Sequence, residues 1–343
     1  MAYTANEPLD YVLSQYPFKV SDIRNESYKD KKGVWWIKTD KGMYILKKMS
    51  NSEEIIRFLL HAVNHLSSNG VSLPKTVKTS DGRDYVNVNG TCFVLLTALE
   101  GKNPSYSSPR ELDSLMRELA KFHKASRGYS PPSDCKPKFH LGLWIEDYRR
   151  QIEEINEYYK AELAKKEHDA IGNTIMAEFP YFYERANAAI AGLDGQEYRV
   201  WSETALKSGS LCHQDFAAGN LLINPSGSVH VIDTDSITID IPARDLRKIL
   251  NKVMKKSGKW DTGLTAGMLR SYQSVNPLTR AQWNIVKLDL MFPHLFIGAV
   301  NKYIYKRDAE WNDDKYLKRI QEMARFEKTI TNLLNEFDSI IPS

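Results

Sequence analysis

Cysteine is scarce in this chain. Three occur in 343 residues, Cys92, Cys135 and Cys212, and no two stand at the spacing of a CxxC pair. Neither a zinc site nor a disulfide framework is expected, and a reducing compartment is the default. Long apolar runs are also missing. The stretch near Leu290–Val300 is broken by Pro293 and His294 and is too short to span a bilayer, so no membrane insertion is expected. The N-terminus, MAYTANEPLDYVL, has no basic start followed by an apolar core, and no secretory signal is expected. Charge of one sign is lacking as well. Forty-seven basic and 43 acidic residues leave a formal charge of +4, mixed along the chain, which argues against nucleic acid as a partner. Internal repeats and low-complexity segments are absent from the sequence.

What the chain does hold is enough apolar material for a substantial core, 42% of its residues, at a length that favours two domains or lobes. Its most informative stretch runs from Leu211 to Asp245. His213, Asp215 and Asn220 form a His-x-Asp-x-x-x-x-Asn string, followed by a Pro-Ser-Gly turn and an apolar run, Val229 to Ile232, that ends on Asp233. Phosphoryl transfer from a nucleoside triphosphate needs a carboxylate to orient a hydroxyl, and an amide with a second carboxylate to hold magnesium. The string supplies all three. Asp215 is the candidate catalytic residue, with Asn220 beside it. Asn220 and Asp233 are candidate metal ligands, and Gly219 gives the loop latitude to turn back. His213 is read as orienting the loop. The plainer reading is an ordinary hairpin whose Asp residues cap turns; the complete string is more specific than its parts.

Upstream, the pattern is that of strands. Val34–Lys38 and Met43–Lys47 flank Asp40-Lys41-Gly42, a hairpin signal. Lys47, after Tyr44-Ile45-Leu46, is the candidate phosphate-binding lysine. The alternative is Lys48, which would face the opposite side of the sheet, and the bland reading of either is a solvated strand-end lysine. Residues 52–67 carry apolar residues at helical spacing after a Ser-Asn-Ser start. Glu53 and Glu54 are the acids of its first turn. Glu54 is a candidate partner of Lys47, and favourable charge at a helix N-terminus is the competing role. His61 and His65 lie one turn apart without a third metal ligand in view. A further hairpin turns at Asn89-Gly90. Residues 96–101 would then form a hinge, with Leu96 and Ala98 as candidate adenine contacts. Beyond it the periodicity is helical: 109–126, with His123 on its apolar face; 144–166; 174–193; and nearly everything after Asp245, where Trp260, Trp283 and Trp311 are expected to pack a core. The division expected is 1–98, a nucleotide-binding sheet plus helix, and 99–343, a helical lobe with the catalytic loop and acceptor site.

Taken together, Val34–Thr39 with Tyr44–Lys47, Leu119–Ser126, Leu211–Asn220, and Val231–Asp233 through Arg244-Asp245-Leu246 resemble the aminoglycoside phosphotransferase and choline kinase-like superfamily. Within it they look most like the spore-coat CotS/CotI-type proteins. The resemblance covers nearly the whole chain. It implies an α+β, protein-kinase-like bilobal fold, with a small five-stranded antiparallel N-lobe and a larger, mainly helical C-lobe. By matched position it implies Asp215 as base, Asn220 and Asp233 as Mg2+ ligands and Lys47 on the phosphates of ATP. Asp235 becomes a second acidic contributor and Asp245 a structural acid at a helix start. It also implies a small-molecule acceptor or other spore-coat proteins as partners, and a place on the spore coat after synthesis in the mother-cell cytoplasm.

Two features depart from that pattern. Gln214 stands where the superfamily has glycine. The expected phosphate-covering loop, Asn25 to Gly33, holds one glycine only, although glycine is what lets backbone N–H groups approach phosphate. The intact Asp215, Asn220 and Asp233 favour a phosphotransferase acting on an alcohol. The glycine-poor loop favours a structural coat protein with a kinase fold. A protein kinase is the weakest of the three, because no activation segment follows Asp233.

Overall fold

The computed structural model describes residues 7–29, 32–308 and 310–341. A five-stranded antiparallel sheet comes first. Its strands β1 (Val20–Lys29), β2 (Lys32–Thr39), β3 (Gly42–Met49), β4 (Val86–Val88) and β5 (Thr91–Thr97) lie in the order β1-β2-β3-β5-β4. The β4–β5 turn is the expected Asn89-Gly90, and both residues have positive φ, 50° and 82°, as a two-residue hairpin turn requires.

Alternation along the strands gives the sheet two faces. On one, Trp35, Ile37, Leu46, Phe93 and Leu95 are buried against Leu9, Val12 and Leu13 of a short helix, α1 (Leu9–Ser14). On the other, Met49, Cys92 and Val94 join the main core with α2 (Glu53–Ser68). Helix α2 forms because six of its residues, among them Ile56, Leu59 and Val63, fall on one buried stripe. The same parity separates the two lysines. Lys47 pairs across the sheet with Val94 and shares its face, whereas Lys48 pairs with Phe93 and reaches Glu7 at 2.5 Å on the α1 side.

The rest of the chain is mostly helical: α3 (Pro109–Ala125), α4 (Trp144–Leu163), α5 (Ala170–Leu193) and α6 (Gln196–Ser208), then α7 (Ala243–Ser257), α8 (Thr262–Gln273), α9 (Arg280–Met291), α10 (His294–Ile304), α11 (Asp313–Lys328) and α12 (Thr331–Ile340). Helix α6 had no counterpart in the sequence reading. Trp260 and Trp283 are buried as expected, but Trp311 is only partly so. Between α6 and α7 lie four short strands. β6 (Leu211–Cys212) pairs with β9 (Thr238–Ile239), and β7 (Leu221–Ile223) with β8 (Val229–Val231). No helix among the described residues is long and apolar enough to cross a membrane.

Sheet and helices are joined at Gly101. A Cβ there would meet the Ile223 carbonyl oxygen and Leu222 Cβ at 2.9 Å, so only glycine lets the chain leaving β5 run against β7. Lys102 and Ile223 then exchange two backbone hydrogen bonds, of 3.0 and 2.8 Å.

Candidate active site

The β7–β8 hairpin explains how Asn220 and Asp233 meet. Leu221 is paired with Val231, and one step outward the Ile232 N–H donates to the Asn220 carbonyl at 2.9 Å. Residues 13 apart in the chain thereby become neighbours. Asp233 follows with φ 57° and ψ 61°, a left-handed conformation that a non-glycine residue holds only when its surroundings enforce it.

Asp215 is fixed from two sides. Asn220 Nδ2 donates to its Oδ2 at 2.9 Å and to its main-chain oxygen at 2.8 Å. Lys252, on α7, makes a close ion pair with its Oδ1. Burial works to raise the Asp215 carboxyl, but the Lys252 ammonium and the Asn220 amide outweigh it and hold it below the usual range. The group is ionised at neutral pH and ready to accept a hydrogen bond. The Asn220 amide nitrogen is spent on Asp215, so its Oδ1 is the atom left for a cation.

His213 is fully buried. Its Nδ1 accepts the Asp215 N–H at 3.3 Å, which puts the ring hydrogen on Nε2, facing the Ile232 carbonyl at 3.2 Å. Burial also lowers its pKa. It spaces Asp215 from the strand that carries Asp233 and stays neutral.

Lys47 completes the cluster. Its ammonium lies 2.7 Å from Asp233 Oδ1 and 3.1 Å from Asp235 Oδ1. Burial opposes its charge, and the two carboxylates more than restore it, so its pKa is raised. Asp235 is held in turn by Lys138, whose Nζ donates to its backbone oxygen at 2.6 Å.

Three sequence expectations need correction here. Glu54 does not serve Lys47; it is exposed in the first turn of α2, and the helix turns Ile56, Leu59, Leu60 and Val63 into the cavity beside the lysine. Its neighbour Glu53 binds Tyr85, Asn87 and Arg57 instead. Ala98 does not offer a free N–H, since that group donates to the Met43 carbonyl at 3.3 Å. The main chain of Leu96 is likewise in the sheet, opposite Ile45, and its side chain lines the cavity next to Lys47. The phosphate-covering loop is mostly strand: 25–29 belong to β1 and 32–33 to β2, while residues 30 and 31 lie outside the described ones. Its glycine serves packing. A Cβ on Gly33 would come within 2.2 Å of the buried Trp35 ring.

The sequence reading missed the supports of the loop. Asn103 Nδ2 donates to the Leu221 carbonyl at 2.8 Å, and the Ala218 N–H donates to the Tyr106 hydroxyl at 2.9 Å. Helix α7 supplies two more, Lys248 on the carbonyl and Oε1 of Gln214 at 2.8 and 2.6 Å and Lys252 on Asp215, beside Asp245, the expected structural acid, which lies under the loop. Their spacing of three and four puts them on one helical face, a signal visible in ARDLRKILNK. Gln214 has φ 70°, the glycine-favouring region, and Lys248 holds it there. His61 and His65 pack on the Tyr129 ring. The His123, Cys212 and Asp245 atoms do cluster within 4.8 Å. They are buried, and Asp245 is committed to the loop.

The family model described as "Spore coat putative kinase YutH" matches residues 15–337. Spore coat protein S of Bacillus subtilis is 30% identical over 329 residues, covering 96% of this chain and 93% of that protein. Among solved structures, an aminoglycoside phosphotransferase from Alicyclobacillus acidocaldarius superposes with a TM-score of 0.80 at 20% identity, over 97% of this chain and 96% of its own. The amicoumacin kinase hAmiN, solved with AMP-PNP, Ca2+ and Ami, gives 0.64 at 15% identity over 95% and 94%. These likenesses show the fold: kinase-like, with the sheet N-terminal and the helices after it.

Proposed function

The chain belongs to the spore-coat YutH kinase family, and from that premise we propose that it transfers the γ-phosphoryl group of ATP, with Mg2+, to the hydroxyl of a small molecule. One observation carries the reading. Lys47 of the sheet is bonded to Asp233, while Asn220, beside Asp233 across the hairpin, holds Asp215. A phosphate-directed cation, a set of oxygen donors and a hydroxyl-orienting carboxylate share one cleft.

The residues suit the metal. Asn220 Oδ1 and the carboxylates of Asp233 and Asp235 are hard oxygen donors, which magnesium prefers to nitrogen or sulfur. When bound, the ion would neutralise charge on the transferring phosphoryl group. Lys47 would hold the phosphates, Asp215 would accept the hydrogen of the attacking hydroxyl, and Lys252 would keep Asp215 ionised. In this reading residues 1–98 act as the nucleotide lobe and 99–343 as the acceptor lobe. Kinase activity in a solved relative carrying AMP-PNP supports ATP as donor. Family membership supports residence on the spore coat after synthesis in the mother-cell cytoplasm, among other coat proteins as partners.

A second reading, a coat protein with little turnover, is favoured by the use of Gly33 for Trp35 packing and by the missing acid partner on α2. Thermal unfolding with Mg-ATP separates the two. A ligand at a hundredfold excess over its Kd stabilises the folded state by about 2.7 kcal/mol. The wild type should therefore gain several degrees in Tm, Asp233→Ala should gain nothing, and Lys48→Met, altered on the far face of the sheet, should respond like the wild type. No gain in the wild type at millimolar Mg-ATP sinks the phosphotransferase reading.

A further inference from the structure

The segment between α3 and α4 is tied to both halves of the molecule. At one end Arg57 of α2 donates through Nη2 to the Asp134 carbonyl at 3.1 Å, and the Lys136 N–H donates to the Glu54 carbonyl at 3.2 Å. Two residues on, the segment pairs with β9. The Lys138 carbonyl accepts the Ile239 N–H and the Thr238 hydroxyl, both at 2.8 Å, and the His140 N–H donates to the Ile239 carbonyl at 3.0 Å. The main chain of Lys138 is therefore pinned against β9, with a further anchor on α2.

Its side chain runs into the cleft. Lys138 Nζ donates to the Asp235 carbonyl at 2.6 Å, and the same aspartate receives Lys47 on Oδ1 at 3.1 Å. The two ammonium groups thus lie within about 10 Å of each other, the two bonds plus the span of one aspartate. A triphosphate that accepts a hydrogen bond at each end covers that distance. Asp235 and Asp233 line the cavity beside Lys47, so Lys138 borders the candidate active site itself.

Lys138 is half-buried. Among the described residues no carboxylate lies within ion-pair distance of it, and the Asp235 carbonyl is its one hydrogen-bond acceptor. An ammonium carries three donors, so two are unspent. Burial is the main influence on its pKa and lowers it; Asp235 works against that, and Lys32 of β2 adds to it. A partly buried cation without a counter-ion is costly, and an incoming anion relieves that cost.

The phosphates need such a group. Both charges of a magnesium ion would be offset by the carboxylates of Asp233 and Asp235, which leaves Lys47 alone against a triphosphate. A glycine-rich loop would bring backbone N–H groups to the phosphates. Here its place is taken by the paired strands β1 and β2, whose one glycine, Gly33, packs on Trp35.

Resting on the phosphotransferase reading, we infer that Lys138 is a second phosphate-binding lysine. The triphosphate of the nucleotide lies between Lys47 from the sheet and Lys138 from the α3–α4 segment, and takes the donors of Lys138 that Asp235 leaves free. A charged side chain on a fixed main chain replaces the backbone N–H groups of a glycine-rich loop.

Titration calorimetry on the full chain tests this with two probes, Mg-ATP and metal-free tripolyphosphate. The wild type should bind both saturably. Lys138→Gln keeps an N–H for the Asp235 carbonyl and loses the charge. Its affinity for both probes should fall about tenfold or more, and Lys138→Arg should restore most of it. Lys136→Gln, the same change of charge at an exposed position of the same segment, should bind like the wild type. Equal affinities of the wild type and Lys138→Gln, or an equal loss in Lys136→Gln, overturn the inference and leave the phosphotransferase reading intact. So does a loss confined to Mg-ATP, which would make Lys138 a support of Asp235 only. Tripolyphosphate binding that depends on Lys138, with no binding of Mg-ATP, overturns that reading and leaves the lysine site standing. Binding of neither probe overturns both. Should Lys138→Gln unfold, amine acylation of the wild type read by mass spectrometry decides: tripolyphosphate should protect Lys138 and leave Lys136 reactive, and unchanged labelling of Lys138 overturns the inference.

Discussion

The Asp245 carboxylate accepts the main-chain N–H of His213 at 2.6 Å and, through its other oxygen, that of Gln214 at 2.8 Å. A residue at the start of α7 thus holds the backbone of the candidate catalytic loop. Asp245 is completely buried. Burial would raise its carboxyl, but the His123 ring, 3.1 Å from Oδ2, leads the interactions that bring it below the usual range. Asp245→Asn would set an amide N–H₂ against one of these donors. It is expected to destabilise the protein by about 2–4 kcal/mol, read from equilibrium urea unfolding. A loss within about 0.5 kcal/mol, the range of ordinary surface changes, would mean that the loop holds itself.

Lys252 should act on the chemistry and spare nucleotide binding. It touches Asp215 and lies away from Lys47, whose partners are Asp233 and Asp235. In Lys252→Met the Asp215 carboxyl loses its strongest opposition to burial and its pKa moves up. The acid limb of the kcat profile is then expected to shift to higher pH, with kcat at neutral pH lowered about tenfold or more and the Mg-ATP gain in Tm retained. An unmoved acid limb would remove Asp215 from the role of base.

Acid sensitivity should trace in part to His294. The ring is largely buried, bonded to Asp289 at 2.7 Å, and burial draws its pKa down to about 4. An unfolded histidine titrates near 6.5. Between those values the unfolded chain holds the extra proton, so stability is full above about 6.5, falls as pH drops through the window, and levels off near 4. At pH 5 the loss from this group is on the order of 2 kcal/mol. Asp240, pushed up to about 6 by burial, works in the opposite sense. The difference between wild type and His294→Gln is therefore the quantity to read in urea titrations at pH 7 and pH 5. A variant as acid-sensitive as the wild type would clear His294 of the effect.

Legibility in the sequence followed range. The kinase-like fold and the string from His213 to Asp233 could be read because periodicity, hairpin turns and a fixed spacing are local properties. The choice of Lys47 over Lys48 was open from sequence; cross-strand pairing with Val94 puts Lys47 on the cleft face. The two readings of Glu54 stayed open in the sequence because an acid in a helix's first turn has the same local signature whichever way the helix faces. Here α2 turns its apolar stripe to the lysine. That the Ala98 N–H belongs to Met43 could not be read from a single strand, because the pairing is made across the sheet.

The order of residues alone determined which chemical groups the chain possesses and which short segments become strands, turns and helices, since backbone preference and side-chain period act over a few positions. Packing alone decided which groups face one another. Lys252 on Asp215 and Asp245 beneath His213 each join residues far apart in the chain. Electrostatic strength depends on distance and burial in three dimensions, and separation along the chain records neither.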